Sequence, residues 1–76
     1  MGSRKLTMRI RLLVREQAEK QGRNRTWLSR HAEVQYDTVS GIWHNPYRHV
    51  DLLTMVKLAK ALNVKVAELF VIEQDE

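Results

Sequence analysis

Residues that interrupt regular structure are scarce in this sequence, and their scarcity strongly constrains the fold. The chain of 76 residues contains three glycines and one proline, Pro46. Between these interruptions, apolar residues recur three or four positions apart, as Ile10, Val14 and Ala18 do. That spacing places apolar side chains on one face of an α-helix. The pattern predicts an all-α fold, and the length allows one small domain.

Capping residues and interruptions divide the chain into five predicted helices. Asn24 and Asp51 suit N-cap positions, whereas Gly22 and Asn63 suit the C-terminal ends of helices. Pro46 cannot continue a helix, so residues 44–49 are expected to form a loop. Helices are predicted at about 8–21, 25–32, 35–44 and 51–63, followed by a short fifth helix or turn at 66–70. We expect a domain spanning 8–72, with flexible termini at 1–7 and 73–76.

Positive charge is concentrated in the first part of the chain. Residues 1–30 carry nine basic and two acidic side chains, in a chain whose formal net charge is +4. This distribution favours a polyanionic partner, although a solvated basic helix face has the same composition. The sequence contains no cysteine for a disulfide or a thiolate zinc site, and no apolar run long enough to span a membrane. We expect a cytoplasmic protein that needs no cofactor.

Two predicted short helices joined by a brief connector form the most informative segment. The apolar positions at which these helices would pack on each other are Leu28, Ala32, Val34, Val39 and Ile42. The segment resembles the helix-turn-helix of the Cro and lambda-repressor-type (XRE) family. The resemblance extends over residues 25–29, 34–40, 51–64 and 67–70, and it implies a compact five-helix lambda-repressor-like domain.

Two positions depart from the family pattern. Glu33 stands where the family usually has glycine in the turn, and Ser29 stands where it usually has alanine. A left-handed conformation at Glu33 would cost about 1 kcal/mol, unless this turn has a different shape. Ser29 is small enough to preserve the close contact between the helices.

The resemblance implies that the third helix enters the DNA major groove. Base-reading roles fall on Gln35, Tyr36, Asp37, Thr38, Ser40 and Gly41. Phosphate-binding roles fall on Arg25, Thr26, His44, Asn45, Tyr47 and Arg48. For Gly41 we weighed close approach of the helix to the groove floor against a helix merely weakened by about 1 kcal/mol. Each phosphate-binding candidate could instead be a solvated surface side chain, an alternative that is weaker for Arg25 and Arg48 than for His44 and Tyr47.

Other chemistries find less support in the sequence. The three histidines lack the spacing of a helical metal-binding pair, so we expect no metal site. Trp27 and Trp43 could stack on nucleobases. We instead expect Trp27 to cover the outside of the second helix, and Trp43 to pack near the loop or a partner subunit. No set of nucleophile, base and orienting group suggests an enzyme.

The combined features predict sequence-specific binding of double-stranded DNA by a small helix-turn-helix transcriptional regulator. The recognition helix is expected at about 35–44, and a homodimer is expected because one module reads only a few base pairs. Residues 43–47 and 70–72 are candidate dimer surfaces. The alternative is a protein-interaction module of the same fold, such as the antitoxin partner of a toxin. A further alternative, membrane binding through the basic first helix, is disfavoured because the core needs its narrow apolar stripe. The protein would be nucleoid-associated when bound to DNA.

Overall fold

Four α-helices lie between two β-strands that come from opposite ends of the chain. A computed structural model describes residues 7–75. Its elements in chain order are β1 (Thr7–Leu12), α1 (Val14–Lys20), α2 (Arg25–Ala32), α3 (Tyr36–His44), α4 (Leu52–Leu62), a 3-10 turn (Val66–Leu69) and β2 (Phe70–Asp75). The described part is therefore mostly helical but not strictly all-α.

The predicted first helix is wrong over its N-terminal part. Residues 7–12 form β1, and α1 begins only at Val14. The physical reason lies in the local pattern, because Met8, Ile10 and Leu12 alternate with Arg9 and Arg11, as expected of a strand with one apolar face. The prediction of five α-helices is also wrong, since the fifth segment is a single 3-10 turn.

The two strands pair antiparallel into a two-stranded ribbon, which we call the terminal ribbon. Its register joins Thr7 to Asp75 at one end and Leu12 to Phe70 at the other. The expectation of a flexible tail at 73–76 is therefore wrong for residues 73–75, because the main chain there pairs with β1. Residues 1–6 of the expected N-terminal tail, and residue 76, lie outside the described part.

The core lies where the helices meet the base of the terminal ribbon. Its fully buried side chains include Val14, Leu28, Val39, Ile42, Leu58, Leu62 and Leu69. At the junction, the amide of Leu12 donates to the Pro46 carbonyl and the amide of Leu13 donates to the Leu69 carbonyl, both at 2.7 Å. These two bonds fix the ribbon to the loop before α4 and to the 3-10 turn.

Most predicted helix boundaries are confirmed. Helix α2 has the predicted limits, and Asn24 Oδ1 caps it by accepting from the Trp27 amide at 2.8 Å. Helix α4 has Asp51 at its N-cap and ends at left-handed Asn63 with φ +56°. A hydrogen bond from the Thr54 hydroxyl lowers the pKa of Asp51 from its ordinary value. Within residues 7–75, no helix has the length and apolar content needed to cross a bilayer.

Candidate DNA interface

A tight turn between α2 and α3 sets the geometry of the candidate interface. Glu33 adopts the left-handed conformation, with φ +56° and ψ +45°. The Ser29 carbonyl accepts from the amides of Glu33 and Val34, while the Ser29 hydroxyl donates to the Val34 carbonyl at 2.6 Å. Glu33 is thus left-handed at the position where the sequence comparison expects glycine, and Ser29 adds a side-chain hydrogen bond across the turn.

Helix α3 has one buried face and one accessible face. Val39 and Ile42 are buried against α2 and the rest of the core. Gln35 occupies the N-cap position, and it is exposed together with Tyr36 and Asp37 in the first turn. These three predicted base-reading residues therefore form one accessible group at the N-terminal end of α3.

The remaining predicted base-reading residues lie on the flanks of α3 or farther along it. Thr38, Ser40 and Gly41 are half-buried. Ser40 faces α2, because Arg25 Nη1 donates to its hydroxyl oxygen at 3.2 Å. The contact occupies one oxygen lone pair of Ser40 and links the start of α2 to the middle of α3.

Arg25 lies between the two helices instead of extending freely from the start of α2. Besides its bond to Ser40, its guanidinium lies 5.8 Å from the centre of the Tyr36 ring. This arrangement is a cation–π contact that supports the exposed tyrosine. Thr26, the next predicted phosphate-binding residue, is exposed in the first turn of α2. Arg25 is thus placed to orient Ser40 and Tyr36, a role that the sequence did not suggest.

Two candidates at the end of α3 make local hydrogen bonds. Nδ1–H of His44 donates to the Ser40 carbonyl at 2.9 Å, because a carbonyl oxygen only accepts. This bond leaves the Nε2 atom as the ring nitrogen of His44 that could contact a phosphate. The Asn45 side-chain oxygen accepts from the Tyr47 amide at 3.2 Å and initiates the turn that follows α3.

Tyr47 is held against the terminal ribbon. Its hydroxyl donates to Glu73 Oε1 at 2.9 Å, and the guanidinium of Arg9 lies 5.2 Å from the centre of its ring. Arg9 and Tyr47 both hydrogen-bond to Glu73, which lowers the pKa of that carboxyl from its ordinary value. Tyr47 therefore connects the loop after α3 to β2, and a phosphate contact would have to compete with Glu73 for the hydroxyl.

Ion pairs form at the arginines of β1 and α1 but not at the two arginines that flank α3, within the described residues. The ion pairs among residues 7–75 are Arg9–Glu73, Arg11–Glu16 and Arg15–Glu19. Each neutralises an arginine of β1 or α1. Arg25 and Arg48 belong to none of them, so the cations without a carboxylate partner include the two that flank α3.

The remaining aromatic residues have structural contacts. Trp27 is half-buried, packs against the core and stacks on His31 at 4.0 Å between ring centres. The Arg23 guanidinium lies 4.3 Å from the Trp27 ring, and that of Arg15 lies 5.9 Å from the Trp43 ring. Among the described residues, no group of three or more His, Cys, Asp or Glu side chains could hold a metal ion.

These elements define a helix-turn-helix DNA-binding protein, and the comparisons identify its family. The Cro/C1-type HTH DNA-binding domain family matches residues 14–75, and the chain belongs to this family. It is therefore a DNA-binding helix-turn-helix regulator. A similar solved structure is the restriction-modification controller protein C.AhdI from Aeromonas hydrophila, with 27% identity and a TM-score of 0.66. The similarity covers 72% of this chain and 82% of that one. No curated protein sequence matches the chain.

Proposed function

We propose that this regulator recognises specific DNA sequences by placing α3 in the major groove. The observation that carries the proposal is the exposed group Gln35, Tyr36 and Asp37, on a helix whose opposite face is buried. In helix-turn-helix complexes, the N-terminal part of the second helix contacts base edges. Among the described residues, 7–75, the two flanking arginines, Arg25 and Arg48, have no carboxylate partner that would weaken their attraction to DNA.

The chemistry of the exposed residues suggests which bases they contact. The amide of Gln35 can both donate to and accept from adenine, and the ring of Tyr36 can pack against a thymine methyl group. Asp37 can accept from the amino group of cytosine and would repel a misplaced phosphate. Thr38 and Ser40 offer shorter hydroxyls at the flanks, where Ser40 contributes mainly through its bond to Arg25.

Phosphate contacts are assigned to the two ends of the helix pair. Arg25 and Thr26 lie at the start of α2, where free backbone amides favour an anion. His44, Asn45 and Tyr47 remain candidates at the other end, with the restrictions set by their own hydrogen bonds. We place the protein in the cytoplasm, acting at DNA. Similarity to a restriction-modification controller protein supports a controlling role for this chain as well.

A salt series on duplex binding tests the DNA-contact assignment. We expect affinity to fall steeply with salt, and Arg25→Ala to weaken binding and reduce the salt slope by about 1. Arg15→Ala is the matched control, because Arg15 is already paired with Glu19 on α1. Equal effects of the two substitutions would show that general charge, and not the helix-turn-helix, binds the DNA.

We further propose that the regulator acts as a homodimer through the uncovered face of the terminal ribbon. The pairs Ile10–Ile72 and Met8–Gln74 lie on one face, which continues into the core through Leu12 and Phe70. Met8, Ile10 and Ile72 are 58%, 53% and 53% exposed, and we call these three the ribbon face. Leu52, which is 72% exposed, lines a surface pocket together with these three residues.

A second copy of this chain is the occupant that best fits the ribbon face. A two-stranded sheet is marginally stable in water unless another layer covers it. The three side chains of the ribbon face are apolar. Arg9 and Arg48 line the same pocket, and the pairing of Arg9 with Glu73 reduces the repulsion between two copies that each carry a net charge of +4. A two-fold contact buries the same residues on both copies, and it supplies the two recognition helices that half-sites on DNA require.

Sedimentation of paired variants tests the homodimer. Ile72→Lys adds a charge to the ribbon face, whereas Val71→Lys adds the same charge to the opposite face beside Arg11. We expect the wild type and Val71→Lys to sediment as dimers, and Ile72→Lys as a monomer with weakened binding to a two-half-site duplex. A monomeric wild type, or equal dimerisation of both variants, would contradict the proposed surface.

A further inference from the structure

Gly41 lies on the same side of α3 as Asp37 and His44, and a side chain from outside the helix leaves it half-buried. Asp37 precedes it by four residues and His44 follows it by three, so the three positions share one side of the helix. The side chain of Arg48, from the loop after α3, crosses this surface and lies over Gly41.

Space, and not backbone conformation, explains glycine at this position. Gly22 is the glycine with positive φ among the described residues, so the backbone of Gly41 suits any L-residue. A Cβ atom at position 41, however, would overlap Arg48 Nη1 and lie 3.0 Å from its Cζ and 3.5 Å from its Cδ. The absence of a side chain at Gly41 therefore leaves the space that the Arg48 guanidinium occupies, and we call this space the cradle.

The guanidinium in this cradle has its donors available. The backbone amide of Arg48 donates to the Asn45 carbonyl at 3.1 Å. Its guanidinium, in contrast, takes part in none of the side-chain hydrogen bonds, ion pairs or ring contacts formed within residues 7–75. Its planar fork of N–H groups matches the paired acceptors O6 and N7 of guanine.

We propose that Arg48 supplies the base-reading side chain that α3 lacks at position 41, and that it recognises guanine. This inference rests on the proposed function, because it requires α3 to lie in the major groove. A cation that only binds phosphate belongs at a helix end or in a loop, beside the DNA backbone. Arg48 originates in a loop, but its guanidinium lies over the central part of α3, on the side that faces the bases. Arg48 is thus reassigned from a phosphate contact to a specificity-determining residue, and Gly41 from base reading to the cradle that holds it.

Selection from randomised duplexes, with two substitutions that preserve net charge, tests the assignment. Gly41→Ala displaces the guanidinium, because its Cβ meets the flexible end of Arg48. Arg48→Lys keeps the charge but removes the fork. We expect both to reduce preference for guanine at one position of each half-site about tenfold or more, and to leave the other positions unchanged. Lys60 is exposed on α4, and Lys60→Ala is the control, which should leave the base preference at every position as in the wild type.

The possible outcomes separate this inference from the function on which it rests. If both charge-preserving variants retain the wild-type base preferences while Arg48→Ala weakens all sequences alike, Arg48 binds phosphate and the inference is overturned alone. If the wild type selects no sequence at all, the proposed sequence-specific function fails, and the inference fails with it. Thermal unfolding of Gly41→Ala and Arg48→Lys, expected to match or exceed the wild type, confirms that lost preference is not lost folding.

Discussion

The helix-turn-helix and the terminal ribbon are maintained by different kinds of interaction. In the helix-turn-helix, Leu28 and Val39 are completely buried, and both the N-cap of α2 and the turn at Glu33 are fixed by bonds between near neighbours. The ribbon joins strands from opposite ends of the chain and leaves apolar side chains on its ribbon face exposed. The apolar side chains of the first region are thus covered within one chain, whereas those of the second are exposed on the face where we propose that a second copy packs.

Truncating one apolar side chain in each region gives the largest expected contrast. Leu28→Ala should lower the free energy of unfolding by about 2–5 kcal/mol, because it leaves a cavity in a closed core. Ile10→Ala should lower it by less than about 1 kcal/mol in the monomer, because half of that side chain is already in water. Urea unfolding at low protein concentration measures both. Similar losses would show that the ribbon belongs to the same packed unit as the helices.

This contrast also explains which part of the fold could be predicted from the sequence. The limits of α2, its Asn24 cap and the buried positions of α3 follow from local periodicity and capping, and all are confirmed. The strand β1 was missed because Ile10 stands four residues before Val14, which extends the helical spacing backwards. Its alternating pattern favoured a strand, but its partner β2 lies some 60 residues away along the chain and has no local relation to it.

The candidate interface was predictable to a similar degree. Helical periodicity predicts that Tyr36, Asp37 and His44 lie on the accessible side of α3, as the structure has them. Ser40 and Gly41, predicted on the same side, are half-buried. The bonds of Arg25 and the position of Arg48 over Gly41 were not predicted, because long side chains reach across elements whose relative placement the sequence does not specify. A glycine inside a predicted helix, with no turn to explain it, was the available indication of the cradle.

Removing the cap of α2 gives the next largest effect. Asn24→Ala should lower the free energy of unfolding by about 1 kcal/mol, because the Trp27 amide loses its acceptor. Asn24→Ser is the matched control, since serine caps about equally well. Thermal unfolding of the two variants measures the difference. Equal stability of Asn24→Ala and wild type would mean that packing alone fixes the start of α2.

Relieving the strained turn between α2 and α3 should have a smaller, stabilising effect. Glu33→Gly removes the cost of a left-handed backbone at a residue with a side chain, about 1–2 kcal/mol. It also destabilises the folded state by about 0.5–1 kcal/mol, because glycine loses more conformational entropy on folding. The net gain should be about 0.5 kcal/mol. Glu33→Ala is the control, because it removes the same charge without relieving the strain. Chemical unfolding should therefore rank glycine above both alanine and wild type, and a lower rank for glycine would show that the side chain of Glu33 stabilises the turn.

Acidification should produce the smallest effect, at the terminal ribbon through Glu73 and at the start of α4 through Asp51. Hydrogen bonds from Arg9 and Tyr47 lower the pKa of Glu73 from its ordinary value of 4.5. A carboxyl whose pKa is lowered by folding stabilises the native state when the pH is above the pKa of the unfolded state. That stabilisation disappears as the pH falls through the lowered pKa. Amide hydrogen exchange should therefore accelerate in β1 and β2 as pH falls below 4.5, after correction for the intrinsic exchange rate at each pH. Exchange of the α2 amides, held by Asn24, should be unchanged over the same interval.

In Glu73→Gln the ribbon amides should already exchange faster at neutral pH and should lose this acid dependence. A wild-type response in that variant would assign the effect to another carboxylate.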